Sequence, residues 1–201
     1  MLDFAKDYVL ENERVRLRPL QPTDLEHLKI YALEQPSLWQ YSLQSAAGID
    51  NMQKYIHTAL QRRAASDSYP FLVYDKLTDS YAGSTRYYDY QPPHSTVQLG
   101  YTWYGQEYWG TGLNKNCKLL MLSFAFEQMK AERVEFRADA NNARSIAAMK
   151  SLGCTVEGIL RSNCQGVTGR RDSIILSILK AEWEGGLHER LAEKVNQASR
   201  G

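Results

Sequence analysis

Cysteine is scarce in this chain, with three residues, Cys117, Cys154 and Cys164. The count is odd, and Cys154 and Cys164 show neither CxxC spacing nor a cysteine–histidine cluster. This excludes a disulfide miniprotein and gives no sign of a zinc site. The thiols read as reduced, in a cytoplasm-like compartment. Long apolar runs are missing too: no window approaches the roughly 18 residues of a membrane helix. Asp3, Lys6 and Asp7 break up any signal-peptide core, so the expectation is a soluble, cytoplasmic protein with no membrane partner. Charge of one sign is absent as well. Lysine plus arginine is 24 and aspartate plus glutamate is 23, a net charge of +1. Without a global basic field, no nucleic-acid partner is expected. There are no internal repeats, low-complexity tracts or long linkers.

What is present suits a globular fold. The 201 residues are 43% hydrophobic and 23% charged, ordinary usage for a chain that buries a core. We expect a single domain over 1–201, with a core at about 14–183 and a helical tail at about 181–198. Val15 and Leu17 alternate with arginines over 14–19, a strand pattern. Thr23-Asp24-Leu25-Glu26 is a capping-box sequence opening a helix that Pro36 stops. Asp50 is expected to cap a second helix running to about Arg63, with Met52, Ile56 and Leu60 inward. Strands are expected at 71–76, 81–90 and 96–104, and Val97, Leu99, Tyr101 and Trp103 should share one face of the last. A glycine loop (105–112) and a long helix to about Lys130 follow. Then come a strand at 133–138, a helix from Asn141-Asn142 to Gly153, a strand from Cys154 to about Leu160 and a buried strand at 171–179. Hairpin-linked strands precede strand–helix crossovers, so the fold class is a mixed α/β (α+β) sheet, partly antiparallel. The tail's apolar stripe, Trp183, Leu187, Leu191 and Val195, suits either docking on its own domain or a dimer.

The chemistry concentrates in Trp103-Tyr104-Gly105-Gln106-Glu107-Tyr108-Trp109-Gly110-Thr111-Gly112-Leu113, where a strand ends and a helix begins. Free amides at a helix start suit a phosphate, and Gly110 and Gly112 let backbone approach an anion. A Walker loop fails because Thr111-Gly112 follows Gly110 with no lysine. A dinucleotide fingerprint fails because Lys115 stands where a third glycine is needed. An anion loop or a plain tight turn remains.

Several segments together resemble the GNAT N-acetyltransferase superfamily, in its RimJ/RimL-type branch. They are Glu107-Tyr108-Trp109-Gly110-Thr111-Gly112; Asn142-Ala143-Arg144-Ser145 with Met149-Lys150-Ser151-Leu152-Gly153; Glu157-Gly158-Ile159-Leu160-Arg161; and the closing Arg171–Leu179. The resemblance runs from about residue 14 to 183. It implies a mostly antiparallel, splayed sheet of about seven strands flanked by helices, with acetyl-CoA as co-substrate and no metal. It places pantetheine on the backbone of Tyr101, Thr102 and Trp103, and pyrophosphate on Glu107, Tyr108, Trp109, Gly110, Thr111 and Gly112, with Asn114 and Lys115 assisting. Asn142 matches a pantetheine-side asparagine and also suits a helix cap. Ser145 matches the position that protonates the leaving thiolate.

The implied reaction is direct attack of a primary amine on the thioester. An amine is mostly protonated at pH 7, so a base is needed, and charge developing on the carbonyl oxygen needs a donor. The donor candidates are main-chain N–H groups near Thr102 or Trp103. The base candidates are Glu157, Asp89 and Glu107, because Cys164 stands where some relatives carry an acid. The histidines His27, His57, His94 and His188 are scattered and read as surface residues. Trp39, Tyr41, Arg86, Tyr87, Tyr88 and Asp89 are candidates for the acceptor side, with Arg86 suited to a substrate carboxylate. The acceptor is read as an amino acid, a small amine or a protein N-terminus, and the enzyme as a monomer or homodimer. The alternatives are a CoA-binding sensor or interaction module without efficient catalysis, and a protein-interaction domain using its tyrosines.

Overall fold

The structure is a computed structural model that describes residues 1–198. Eight strands form one sheet: β1 (Leu10–Glu11), β2 (Val15–Pro19), β3 (Ser68–Asp75), β4 (Ser80–Gln91), β5 (Thr96–Tyr104), β6 (Arg133–Asp139), β7 (Thr155–Gly166) and β8 (Gly169–Leu179). Their order is β1-β2-β3-β4-β5-β6-β8-β7. Only β5 and β6 pair in parallel. The sheet is therefore mixed and mostly antiparallel, as expected, with the two-residue β1 as an added strand. Helices α1 (Leu25–Glu34) and α2 (Ile49–Ala64) follow β2, α3 (Leu113–Ser123) joins β5 to β6, and α4 (Ala143–Leu152) follows β6. A short turn, α5 (Lys180–Glu182), leads across Gly185-Gly186 into α6 (His188–Ala198). Residues 199–201 of the expected domain lie outside the described residues.

The two faces of the sheet carry different helices. Ser84 Oγ lies 3.4 Å from the Tyr55 hydroxyl of α2, whereas the Tyr87 hydroxyl donates to the Met121 carbonyl of α3 at 2.5 Å. Adjacent odd and even residues of β4 thus face opposite helix layers, as the pleat requires. Large apolar side chains, Phe71, Leu72, Leu99, Leu113 and Met121 among them, are fully buried between the layers. Each such burial contributes roughly 1.5–3 kcal/mol. Trp183, Leu187, Leu191 and Val195 are also buried. Lys194 Nζ donates to the Ser151 carbonyl at 3.1 Å, so the tail's stripe docks on its own chain.

Three local expectations are corrected. Thr23 does not cap α1. A turn at Pro22–Asp24 precedes the helix, and the buried Asp24 carboxylate instead accepts from Arg18 and from the Gln21 amide. Asp50 lies inside the first turn of α2, and the cap is Gly48, at φ +84°. Most consequentially, Leu99 and Trp103 do not share a face. Leu99 pairs with Tyr87, on the α3 side, and Trp103 pairs with Ser84, on the α2 side. The register slips between these pairs, and Tyr101 takes φ +49°. This bulge inserts one residue and reverses the alternation.

Candidate active site

The bulge lies where β5 leaves β6. The parallel ladder has three pairs, Thr96–Arg133, Val97–Val134 and Gln98–Glu135, and then stops. Beyond it β5 stays paired with β4 alone and β6 with β8 alone, so the facing edges of Leu99–Tyr104 and Phe136–Asp139 have no strand partner. The result is a V-shaped cleft of about 1280 Å³ that passes from one face of the sheet to the other.

At one end the cleft meets the start of α3. Gly110 and Gly112 adopt φ +78° and +85°, left-handed values that glycine takes without strain. Among the described residues, the amides of Gly110, Gly112, Asn114 and Lys115 have no hydrogen-bond partner. Their donors and the positive end of the helix dipole form an anion cradle. Across the gap, the Asn142 side chain caps α4 by accepting from the Ser145 amide at 3.1 Å. The Arg144 guanidinium stacks on the Trp109 ring, 3.3 Å from its centroid, and ties the loop to α4.

The sequence-derived cofactor residues come together. Tyr101, Thr102, Trp103, Tyr108, Trp109, Gly110, Thr111, Gly112, Asn114, Lys115, Asn142 and Ser145 all line the cleft. Glu107 does not; its carboxylate accepts from the Gln35 side chain at 3.0 Å. Of the residues expected on the acceptor side, Trp39, Tyr41, Arg86 and Tyr88 line the cleft. Two expected residues are elsewhere. Tyr87 points to the opposite face and is fixed on α3. Asp89, at φ +47°, accepts from the side chains of Gln91 and Gln98 in the hairpin. Glu157 is also outside, because it sits at the closed end of the V. Arg133 holds it in an ion pair and Ser177 donates to it, which keeps its carboxyl below the usual range. None of the three base candidates, Glu157, Asp89 and Glu107, therefore faces the cleft.

Sequence reasoning missed Lys118. Its side chain is 4% exposed and lines the cleft from the α3 side. Nζ donates to Thr102 Oγ1 at 2.7 Å and to Thr85 Oγ1 at 3.1 Å. Among the described residues no carboxylate pairs with it, and burial pushes its pKa down to about 7. The lysine braces the bulged segment against β4. A signal was available: Lys118 stands one residue after Cys117 and three before Met121, both read as inward-facing, which puts it at the edge of the buried arc.

Arg86 was anticipated, but its surroundings were not. It is 2% exposed, on the α2 face, with Nε lacking any hydrogen-bond partner. Its guanidinium lies 4.9 Å from the Tyr55 ring centroid and 4.3 Å from that of Tyr101. Among the described residues, no group of three or more His, Cys, Asp or Glu side chains could hold a metal ion, and no helix is long and apolar enough to cross a membrane.

This geometry agrees with comparisons to known proteins. The acetyltransferase (GNAT) domain profile matches residues 14–155. A Bacillus subtilis (strain 168) protein provisionally named ribosomal N-acetyltransferase YdaF is 26% identical over 179 residues, spanning 87% of this chain and 96% of its own length. A crystal structure of a provisionally assigned acetyltransferase from T. thermophilus superposes with a TM-score of 0.85 at 28% identity, covering 96% of this chain and 99% of its own. A GCN5-related N-acetyltransferase from Brucella melitensis shares the fold, with a TM-score of 0.86 at 20% identity, covering 94% of this chain and 86% of its own. The RimJ/RimL-type resemblance is borne out, and the chain belongs to the acetyltransferase (GNAT) family of acyl-CoA-dependent N-acyltransferases.

Proposed function

We propose that this enzyme moves an acetyl group from acetyl-CoA to a primary amine of an amino acid, a small amine or a protein N-terminus, by direct attack in a ternary complex. The observation that carries this reading is the cleft itself: two unpaired strand edges leading to four free amides at the start of α3. The β5 edge at Tyr101–Trp103 pairs with the amides of the pantetheine arm. The amides from Gly110 to Lys115 hold the pyrophosphate, with the Lys115 and Arg144 cations beside them. Opening from the opposite face lets an amine reach the thioester while the cofactor stays bound. A ribosomal name among the relatives supports keeping protein N-termini in the acceptor class. The bacterial origin of these relatives supports a cytoplasmic enzyme. Docking of the tail on its own chain means its apolar stripe needs no second copy.

The amine nitrogen forms a bond to the acetyl carbon and the carbon–sulfur bond breaks. A main-chain N–H of the bulged segment, at Thr102 or Trp103, donates to the carbonyl oxygen as charge develops there. Ser145 Oγ, in the first turn of α4, donates a proton to the departing thiolate and regains one from the water that takes up the amine's proton. Water in the open acceptor end takes the amine's proton: none of the three carboxylates considered reaches the cleft, and Asp139, which does, lies toward α4 and accepts from the Asn141 amide. The test is release of free CoA thiol over a panel of amines. Release with at least one amine, cut about 10²-fold or more in Ser145→Ala with acetyl-CoA binding retained, is the expected result. Binding of acetyl-CoA without release to any amine would instead establish the sensor alternative.

A further inference from the structure

The acceptor end of the cleft is unbalanced in charge. Arg62, Arg86, Arg137 and Arg171 line it. The only carboxylate among the residues lining the cleft, Asp139, lies toward α4 and accepts from the Asn141 amide at 2.8 Å. Two of the arginines are already matched: Arg62 pairs with Asp67 at 2.7 Å and Arg137 with Glu135 at 2.7 Å. Arg86 and Arg171 have no ion pair among the described residues. Both have a buried Nε without a hydrogen-bond partner, and Arg171 otherwise reaches only the Tyr41 carbonyl, at 3.4 Å.

A guanidinium is always charged, and its fork of donors matches a carboxylate. Burying one without an anion is costly, and a nearby ring face offsets only part of that cost. The cofactor's phosphates do not explain these two residues, because Arg86 lies on the α2 face and the anion cradle is at the start of α3. From this we infer that the acceptor is a primary amine carrying a carboxylate, which Arg86 and Arg171 bind from the α2 face. The inference rests on the acetyltransferase reading and deepens it. It also fits the chemistry: unmatched cations beside the bound amine disfavour its ammonium form, so the nucleophile enters the reaction neutral. Polycationic amines are repelled by the same groups.

The experiment compares acceptors in pairs, with rates referred to the concentration of neutral amine so that differences in amine pKa cancel. One pair is a free amino acid and its carboxamide. The other is a C-terminally amidated peptide beginning with Asp and its counterpart beginning with Asn. The expected result is a kcat/KM about 10–100-fold higher for the carboxylate member of one pair, the magnitude of a charge-assisted contact. The pair that responds tells a free amino acid from a peptide. In Arg86→Gln and Arg171→Gln the ratio should fall toward one, whatever happens to the absolute rate. Equal rates within both pairs, from protein that does acetylate amines, would overturn the inference and leave the acetyltransferase reading intact. A ratio present in the parent and unchanged in both variants would overturn the assignment to these arginines. No thermal shift with acetyl-CoA and no thiol release would overturn both readings together.

Discussion

Replacing Lys118 with methionine is expected to stabilise the protein at pH 7 and to remove much of its dependence on pH between 7 and 9. The lysine's pKa falls from 10.5 to about 7 on folding because burial penalises its charge. At 1.36 kcal/mol per unit, the full displacement is on the order of 5 kcal/mol. The sign follows from proton counts. Between the two pKa values the unfolded chain carries a proton that the folded chain has lost, so stability rises with pH across that window. The penalty is complete below about pH 7 and gone above about 10.5. From pH 7 to 9 this group alone adds about 2 kcal/mol, a Tm rise of roughly 4–8 °C for a chain of this size. Burial pushes the thiols of Cys117 and Cys154 up to about 12, which works the other way above pH 9. The Lys118 charge lowers both thiols, so they rise further in the variant; the comparison is therefore confined to pH 7–9, where an unfolded thiol is still largely protonated. Thermal unfolding of both proteins across this range checks the prediction. Parallel Tm profiles would show that Lys118 remains charged in its cleft.

Gly83→Ala is expected to cost more than about 4 kcal/mol, in the range reserved for named disruptions of the core or backbone. A Cβ at Gly83 would stand 2.1 Å from the Trp103 carbonyl oxygen and 2.9 Å from the Tyr104 Cα. Those atoms belong to backbone, so relief requires β5 to move away from β4. That is the splayed segment, already without a partner on its other side, so the movement should also weaken acetyl-CoA binding. Gly48→Ala is the comparison. Its φ is +84° but nothing lies within 4 Å of the new atom, leaving only backbone strain of about 1–2 kcal/mol. Urea midpoints for the two variants should differ clearly. Similar midpoints would mean that the close approach of β4 to β5 is not rigid.

The sequence was most legible where periodicity is strong. Alternation located β5 at 96–104, and Asn142 and Gly153 marked both ends of α4. β1 escaped notice because two residues carry no period; their pairing with β2 defines the strand. The bulge escaped because nothing in Thr96–Tyr104 favours φ +49° at Tyr101, a cost that tertiary packing imposes. The error is instructive, since the same bulge separates the faces that carry Lys118 and Arg86. Around the glycine loop, Tyr108 to Lys115 were legible as lining residues, whereas Glu107, drawn to Gln35, and Lys118 were not. Two placements depend on the tertiary fold and were not legible: Arg171 reaches the cleft from β8, and Glu157, though near in sequence to α4, is drawn to Arg133 at the closed end.

The most direct test of the central claim is thermal unfolding with acetyl-CoA, free CoA, ATP and NAD added separately. A ligand at about 100 times its Kd adds roughly 2.7 kcal/mol, or roughly 5–10 °C here. The account predicts that shift with acetyl-CoA and CoA and none with ATP or NAD. No shift with either CoA species, on demonstrably folded protein, would reduce the loop from Gly105 to Gly112 to a strand-to-helix turn and contradict the assignment of the cleft.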